Sequence, residues 1–402
     1  MIHLYKSNGF NMVLDVNSGS VHVVDDCVYD VLSCMNEGKN AEEAAEALSS
    51  KYAEQDITEA REEIQELTDN GMLFTKDIYE NAIDQFSNRP TVVKALCLHI
   101  AHDCNLACRY CFAEEGEYHG RRALMSLEVG KKALDFLIAN SGSRRNLEVD
   151  FFGGEPLMNW DVVKQLVAYG REQEKLHNKN FRFTLTTNGV LLNDEVMEFC
   201  NKEMGNVVLS IDGRKEVHDH MRPFRKGAGS YDLIVPKFQK FAELRHQDKY
   251  YVRGTFTHYN TDFAADVLHL ADLGFKQISV EPVVAPPTED YAIREEDLPV
   301  IFEQYDILAR EMIKREKEGR GFNFFHFMID LTGGPCVYKR LSGCGSGTEY
   351  LAVTPWGVIE PVPVGPHPLI IVHPRSTVTM AARTSAMILC FFFIMSRFSS
   401  FL

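Results

Sequence analysis

The run Cys104-Asn-Leu-Ala-Cys108-Arg-Tyr-Cys111 has the spacing C-x3-C-x2-C and puts three thiols in one short segment. Thiolates this close can converge on one metal centre. A structural zinc site asks for four ligands in closed coordination, and His102 and His119 are the nearby candidates for a fourth. Three thiolates on an iron–sulfur cubane instead leave one iron open, as a cluster that binds a substrate requires. The spacing favours the cluster. Further along stands Phe152-Gly153-Gly154-Glu155-Pro156, where two glycines let backbone approach a ligand without a Cβ in the way and a glutamate can hold an ammonium. Thr187-Asn188-Gly189 and Ser210-Ile211-Asp212-Gly213 read either as site positions or as ordinary Asn-Gly and Asp-Gly turns, and Arg222 either as an anion partner or as a surface ion-pair residue. Glu281 either faces a pocket or pairs with a lysine, and His258 and His326 read as core or surface histidines.

These residues need elements to position them. Short apolar runs at Ala95–Ala101, Leu147–Phe152, Phe181–Thr187, Val207–Ile211, Tyr251–Thr257 and Gln277–Val283 read as strands. Amphipathic helical segments lie between them, such as the one capped by Ser126 that runs through Ala139. Six strand–helix repeats predict an α/β fold with a parallel sheet, and in such folds chemistry sits at the carboxyl ends of the strands. Each motif above falls there. Before them, residues 1–80 read as a separate unit. Met12, Leu14 and Val16 alternate, Asn17-Ser18-Gly19 supplies a turn, and Val21 and Val23 resume the alternation. Asn40 caps a helix through Tyr52, and Asp56 with Glu59 predicts a capping box for a helix ended by Gly71. Short strands followed by three helices suggest a winged-helix-like module. Residues 81–93 form a polar linker.

The chain has 402 residues, 45% of them apolar and 25% charged, with a formal net charge of −15. That is the composition of a globular protein, and a surface so acidic disfavours a nucleic-acid substrate. A basic peptide or a small molecule fits better. The start, MIHLYKSNGF, lacks a basic stretch followed by an apolar run, so no signal peptide is expected. The longest apolar run, Ala386–Met395, is too short for a membrane span, which takes ~20 residues. Ten cysteines without an export signal point to the cytoplasm, where grouped cysteines mean metal or redox chemistry.

The cysteine triplet at the end of a first strand, with an aromatic before its last cysteine, resembles the signature of the radical S-adenosylmethionine (SAM) superfamily. The resemblance implies a partial (β/α)6 TIM-like barrel over residues 94–310 and a [4Fe–4S] cluster on Cys104, Cys108 and Cys111. It implies that the open iron chelates the amino and carboxylate groups of SAM, and that one electron cleaves SAM to a 5′-deoxyadenosyl radical. Tyr110 then lies near the adenine, and Gly153, Gly154, Glu155 and Pro156 resemble the motif that binds the methionine amino group. Thr187, Asn188, Ser210 and Asp212 line the ribose and methionine, and Arg222 pairs with the SAM carboxylate.

The stretch from His99 to His119 is similar to one subgroup, the maturases of SCIFF (six cysteines in forty-five residues) peptides, which make thioether bonds. This implies a ribosomally made cysteine-rich precursor peptide as partner, gripped by the N-terminal module, and a low-potential electron donor such as a ferredoxin or flavodoxin. It also implies a cysteine-rich SPASM extension holding auxiliary clusters, whose beginning Cys336 and Cys344 resemble, within residues 311–357. The pattern next asks for cysteine five residues after Gly357, where Val362 stands, and the only later cysteine is Cys390. Residues 361–402 contain no Asp, Glu, Lys, Asn, Gln, Tyr or Trp. The expectation is therefore an incomplete extension, auxiliary clusters compromised, and an aberrant tail over 358–402 left by a frameshift near Gly357. Two other readings stay open: a formylglycine-forming sulfatase maturase, and, outside enzymes, a zinc-stabilised peptide-binding protein or an inactive pseudo-enzyme.

Overall fold

A computed structural model describes residues 2–79, 91–118, 120–328, 345 and 347–361. The chain begins with a three-stranded antiparallel sheet, β1 (Ile2–Ser7), β2 (Phe10–Asp15) and β3 (Val21–Val24), in that order. The β2–β3 pairing, with Met12 opposite Val23 and Leu14 opposite Val21, is the expected hairpin. Strand β1 was not anticipated. Asn8-Gly9 joins it to β2 with both residues at positive φ, the conformation of a two-residue hairpin turn. Three helices follow: α1 (Asp26–Asn36), α2 (Ala41–Leu48) and α3 (Glu54–Asp69). Asn40 caps α2 in a full capping box with Glu43. The box expected at Asp56 is absent: α3 starts at Glu54, so Asp56 already lies in its first turn, and Ala53 caps it without a side-chain bond. A separate core of Val13, Val28, Val31, Leu32, Ile57 and Ile64 holds these elements together.

The rest is an α/β fold built on one mostly parallel sheet. Its six central strands are β4 (Ala95–His102), β6 (Asn146–Gly153), β7 (Asn180–Thr187), β8 (Met204–Ser210), β9 (Tyr250–Phe256) and β10 (Gln277–Pro282). They pair parallel in that order, each within a few residues of its expected bounds. Helices between successive strands cover one face, as right-handed crossovers require. Phe151, Phe183, Leu185, Phe238, Val252 and Phe256 are buried there. Replacing one of these phenylalanines by alanine removes about 3–5 kcal/mol. The opposite face is more polar and only half-buried, with Thr184, Thr186, Ser210 and Thr255 along it. β4 differs, being buried along its whole length. This alternation lets a stable sheet carry a polar inner surface.

Short strand β11 (Asn323–Phe324) extends the sheet beyond β10, and β5 (Ala123–Leu124) pairs with β4. At the other edge β12 (Tyr350–Val353) adds parallel to β4 and turns through Gly357, at φ +83°, into β13 (Ile359–Pro361). The boundary expected after Gly357 thus falls inside a hairpin, and the boundary at 310 falls inside the helix Leu298–Lys317. Cys336, Cys344, His119, Val362, Cys390 and the tail after Pro361 lie outside the described residues. No helix among the described residues is long and apolar enough to cross a membrane.

Candidate active site

The three cysteines leave the carboxyl end of β4 in a loop tied down on both sides. The segment after the helix Lys215–Met221 pins it through Ala107 N–H to Pro223 O (2.9 Å) and Arg109 N–H to Met221 O (2.9 Å). Ion pairs of Asp103 with Arg225 (2.8 Å) and Arg122 (3.5 Å) hold its base. From the strand side, Asn188 Nδ2 donates to Asn105 Oδ1 (2.7 Å) and to the Cys104 sulfur (3.5 Å). The Leu106 amide also donates to Cys104 Sγ at 3.5 Å.

Burial sets the state of the thiols. It pushes the Cys104 thiol up to about 12, with the Glu155 carboxylate adding to the effect. It pushes Cys108 up to about 11 against the pull of the Arg222 guanidinium. A metal centre binding here would displace those protons. Among the described residues no three His, Cys, Asp or Glu side chains group as ligands of a single ion. A cluster takes each thiolate on a different iron and leaves one iron open.

Gly153, at φ +120°, and Gly154 lie against the base of the same loop: a Cβ on either would overlap the carbonyl oxygens of Ala101 and Asp103. Their role in the structure is close packing of β6 against β4. Pro156 starts the turn Pro156–Asn159. The Glu155 carboxylate, expected to meet an ammonium, is fully buried and accepts from Leu157 N–H (3.0 Å), Thr187 Oγ1 (2.8 Å) and Asn188 N–H (2.7 Å). Burial raises its proton affinity despite these donors. It braces the ends of β6 and β7 with three of its roughly four acceptor positions occupied. Thr187 and Asn188 are drawn into the same brace.

Asp212 is likewise fully buried and committed. It accepts from the Tyr110 hydroxyl (2.7 Å) and the Thr255 amide (3.1 Å) and faces Arg222 NH1 at 3.7 Å. Burial lifts its carboxyl to about 6, with Arg222 and the Tyr110 bond opposing. Arg222 NH1 donates to the Tyr110 hydroxyl at 2.8 Å, while Arg222 Nε is buried with no hydrogen-bond partner. His218 supports this group, accepting the Asp212 amide (3.3 Å) on Nδ1 and meeting Ser230 Oγ (2.9 Å) with Nε2. Burial, with Arg222 nearby, drives His218 down to about 2. Ser210, at the end of β8, is half-buried on the inner face.

The structure therefore brings the cysteine loop, Tyr110, Asn188, Asp212 and Arg222 into one place. Sequence reading missed Asn105, Asp103 with its two arginines, and Tyr118 stacked behind the loop, because their partners, from 6 to 122 residues away, meet them only through the folded loop. Four buried polar atoms without a partner, His102 Nδ1, Asn105 Nδ2, Tyr118 Oη and Arg222 Nε, lie in or against the loop. Buried polar groups are normally satisfied, so unmet donors beside three thiols fit a polar, anionic ligand and a cluster.

Residues 98–273 match the model of the Radical SAM superfamily. The chain is 20% identical over 390 residues to the radical SAM cyclopropyl synthase TigE of Paramaledivibacter caminithermalis, covering 88% of this chain and 75% of that one. It is 27% identical over 197 residues to a serine-type anaerobic sulfatase-maturating enzyme of Bacteroides thetaiotaomicron, covering 48% and 46%. An uncharacterized protein of Methanocaldococcus jannaschii is 30% identical over 138 residues, 34% of this chain, and the match spans only 45% of that relative's length. The solved structure of native anSMEcpe with bound AdoMet and Kp18Cys peptide aligns with a TM-score of 0.56 at 19% identity, over 67% of this chain and 74% of that one, which shows a common fold. The family uses a [4Fe–4S] cluster and SAM. Residues 98–273 thus resemble the Radical SAM superfamily, and the chain is similar to sulfatase-maturating and peptide-modifying radical SAM enzymes.

Proposed function

We propose that this protein binds its cluster through Cys104, Cys108 and Cys111 and uses the radical made from SAM to join a cysteine sulfur to carbon within a ribosomally made peptide. The observation that carries the reading is the loop itself: three thiols at the carboxyl end of β4, roofed by Tyr110 and by an arginine with an unmet buried donor. The cluster, once reduced, supplies the electron that breaks SAM to a carbon radical. The protein's own residues do the rest. Arg222 Nε is placed to receive an anion such as the SAM carboxylate, while NH1 and Asp212 fix its plane through Tyr110. Asn188 orients Asn105 and the Cys104 sulfur from β7. Gly153 and Gly154 keep the β6 turn low enough for backbone to approach the loop.

The peptide part of the reading rests on the likeness to TigE over most of the chain and on a fold shared with a structure that holds AdoMet and a peptide. Among the described residues β1 and β3 of the N-terminal module each pair only with β2, leaving two edges to which an extended leader can add as a strand. Crosslinking removes a hydrogen atom from carbon, which goes to the deoxyadenosyl carbon, and a proton and one electron from the thiol. The electron needs an acceptor; the resemblance gives that part to an auxiliary cluster starting at Cys336 and Cys344, which the altered sequence after Gly357 leaves compromised, so thioether yield is expected to be low.

Anaerobic reconstitution with iron and sulfide, then SAM and dithionite, tests the core of this. The expected result is a brown protein with about four irons that releases 5′-deoxyadenosine. Zinc in the loop, or no metal, sinks it. The second reading, formylglycine formation, is favoured by the matched sulfatase-maturating enzymes. Mass spectrometry of a processed cysteine peptide separates the two, since a thioether keeps the sulfur and formylglycine made from cysteine loses it.

A further inference from the structure

Tyr118 lies behind the cysteine loop, enclosed by the chain on both sides of it. Its ring stacks on His99 and His102, each at 4.5 Å with interplanar angles of 28° and 20°, and meets Phe112 edge-on at 5.9 Å. His102 stands just before Cys104 and Phe112 just after Cys111, so the ring touches the chain on both sides of the loop. Its backbone sits at φ +51°, a conformation that a bulky aromatic adopts only when its surroundings force it. The Tyr118 amide closes that turn on Ala113 O at 2.9 Å. Yet the hydroxyl, at the end of a ring so tightly held, is buried and has no hydrogen-bond partner.

We propose that the Tyr118 hydroxyl donates a hydrogen bond to the sulfur shell of the cluster held by Cys104, Cys108 and Cys111 and raises its reduction potential, an inference that rests on the cluster reading above. A buried donor with no protein acceptor needs an acceptor from elsewhere. The Cys97, Cys111 and Cys104 thiols, in that order, are the groups whose charge the hydroxyl feels, and burial holds it un-ionised as a donor. Two of those three belong to the loop. Reduction adds negative charge to the sulfurs, so a donor aimed at them favours the reduced state. His99 Nδ1 and His102 Nε2 bond each other at 3.1 Å, and both rings are buried.

Tyr118→Phe keeps the stack and deletes only the hydroxyl. The test is an anaerobic redox titration of the reconstituted full chain followed by electron paramagnetic resonance, with iron counted in parallel. The expected result is unchanged iron content and a cluster harder to reduce. The reduced-to-oxidised ratio at a fixed potential should fall about tenfold, the effect of one hydrogen bond to a charged acceptor, which is about 59 mV for a one-electron couple. An unchanged potential in an iron-loaded Tyr118→Phe protein overturns the proposal, since the hydroxyl then serves Cys97 or nothing. Loss of iron from that variant also overturns it and makes the residue structural. A wild-type protein that takes up no iron defeats the cluster reading as well, so the two failures are distinguishable.

Discussion

The two ends of the parallel sheet treat their buried polar groups in opposite ways. At the β10 edge, Glu281 accepts from Ser279 Oγ (2.6 Å) and meets His326 Nε2 (2.7 Å), while His326 Nδ1 meets the Tyr305 hydroxyl (3.0 Å). Every polar side chain of that chain has a protein partner, and His326 holds Glu281 below the usual carboxylate range although burial alone would raise it. Around the cysteine loop after β4, Arg222 Nε, Asn105 Nδ2 and Tyr118 Oη are buried without a hydrogen-bond partner. The first arrangement satisfies its own polar groups. The second leaves several donors unmet. That contrast marks the site more sharply than any single motif, because leaving a buried polar group unpaired costs about 1–3 kcal/mol, which a bound ligand can offset.

The comparison can be broken most directly by removing a thiol. Cys108→Ala should abolish iron incorporation at the loop and reduce 5′-deoxyadenosine release to background, measured by iron count and chromatography. Retention of either would mean that the loop is not the cluster site.

Next in size is Arg222→Ala, which strands Asp212 as a buried carboxylate. Loss of one partner of a buried pair costs roughly 3–5 kcal/mol, so chemical denaturation should show a fall of that order together with weaker SAM binding by calorimetry. A variant of wild-type stability would show that the pair is not buried as described.

A pH series sharpens the same side. His218 is lowered to about 2 and His99 and His102 to about 4, so the unfolded chain binds protons that the folded one refuses. Stability is thus full above the ordinary histidine range near 6.5 and is lost as pH falls below it, by about 1.4 kcal/mol per pH unit for each such group. His218→Gln should remove one group's share of that slope between pH 6 and 4 in denaturation experiments. An unaltered slope would mean that His218 is solvated.

The smallest effect belongs to the satisfied edge. Tyr305→Phe deletes one bond to His326 and should lower stability by only about 1 kcal/mol, with SAM cleavage unchanged. A loss of cleavage there would move part of the site across the sheet.

Much of this was legible in the chain. The six central strands could be read because their apolar runs are short, buried and separated by helical periodicity, and the C-x3-C-x2-C spacing put three thiols in one loop whatever the fold. The Asn40 cap was equally local. Strand β1 is not legible in the chain because His3, Tyr5 and Lys6 blur its alternation, although Asn8-Gly9 is a local turn signal. Strand β12 escaped because its pairing to β4 joins residues more than two hundred apart.

Residue types and spacing along the backbone determined which side chains could ligate iron and which segments would be strands, since both follow from covalent neighbours and period. What those side chains face was decided only by tertiary packing. Glu155 and Asp212 stand at strand ends where the sequence places them, but burial and donors from other strands turned them inward as braces. Arg222 and Tyr118 became site residues because packing buried their polar ends beside the thiols without giving them partners. Burial and unmet hydrogen bonds are properties of the assembled molecule, and no local pattern encodes them.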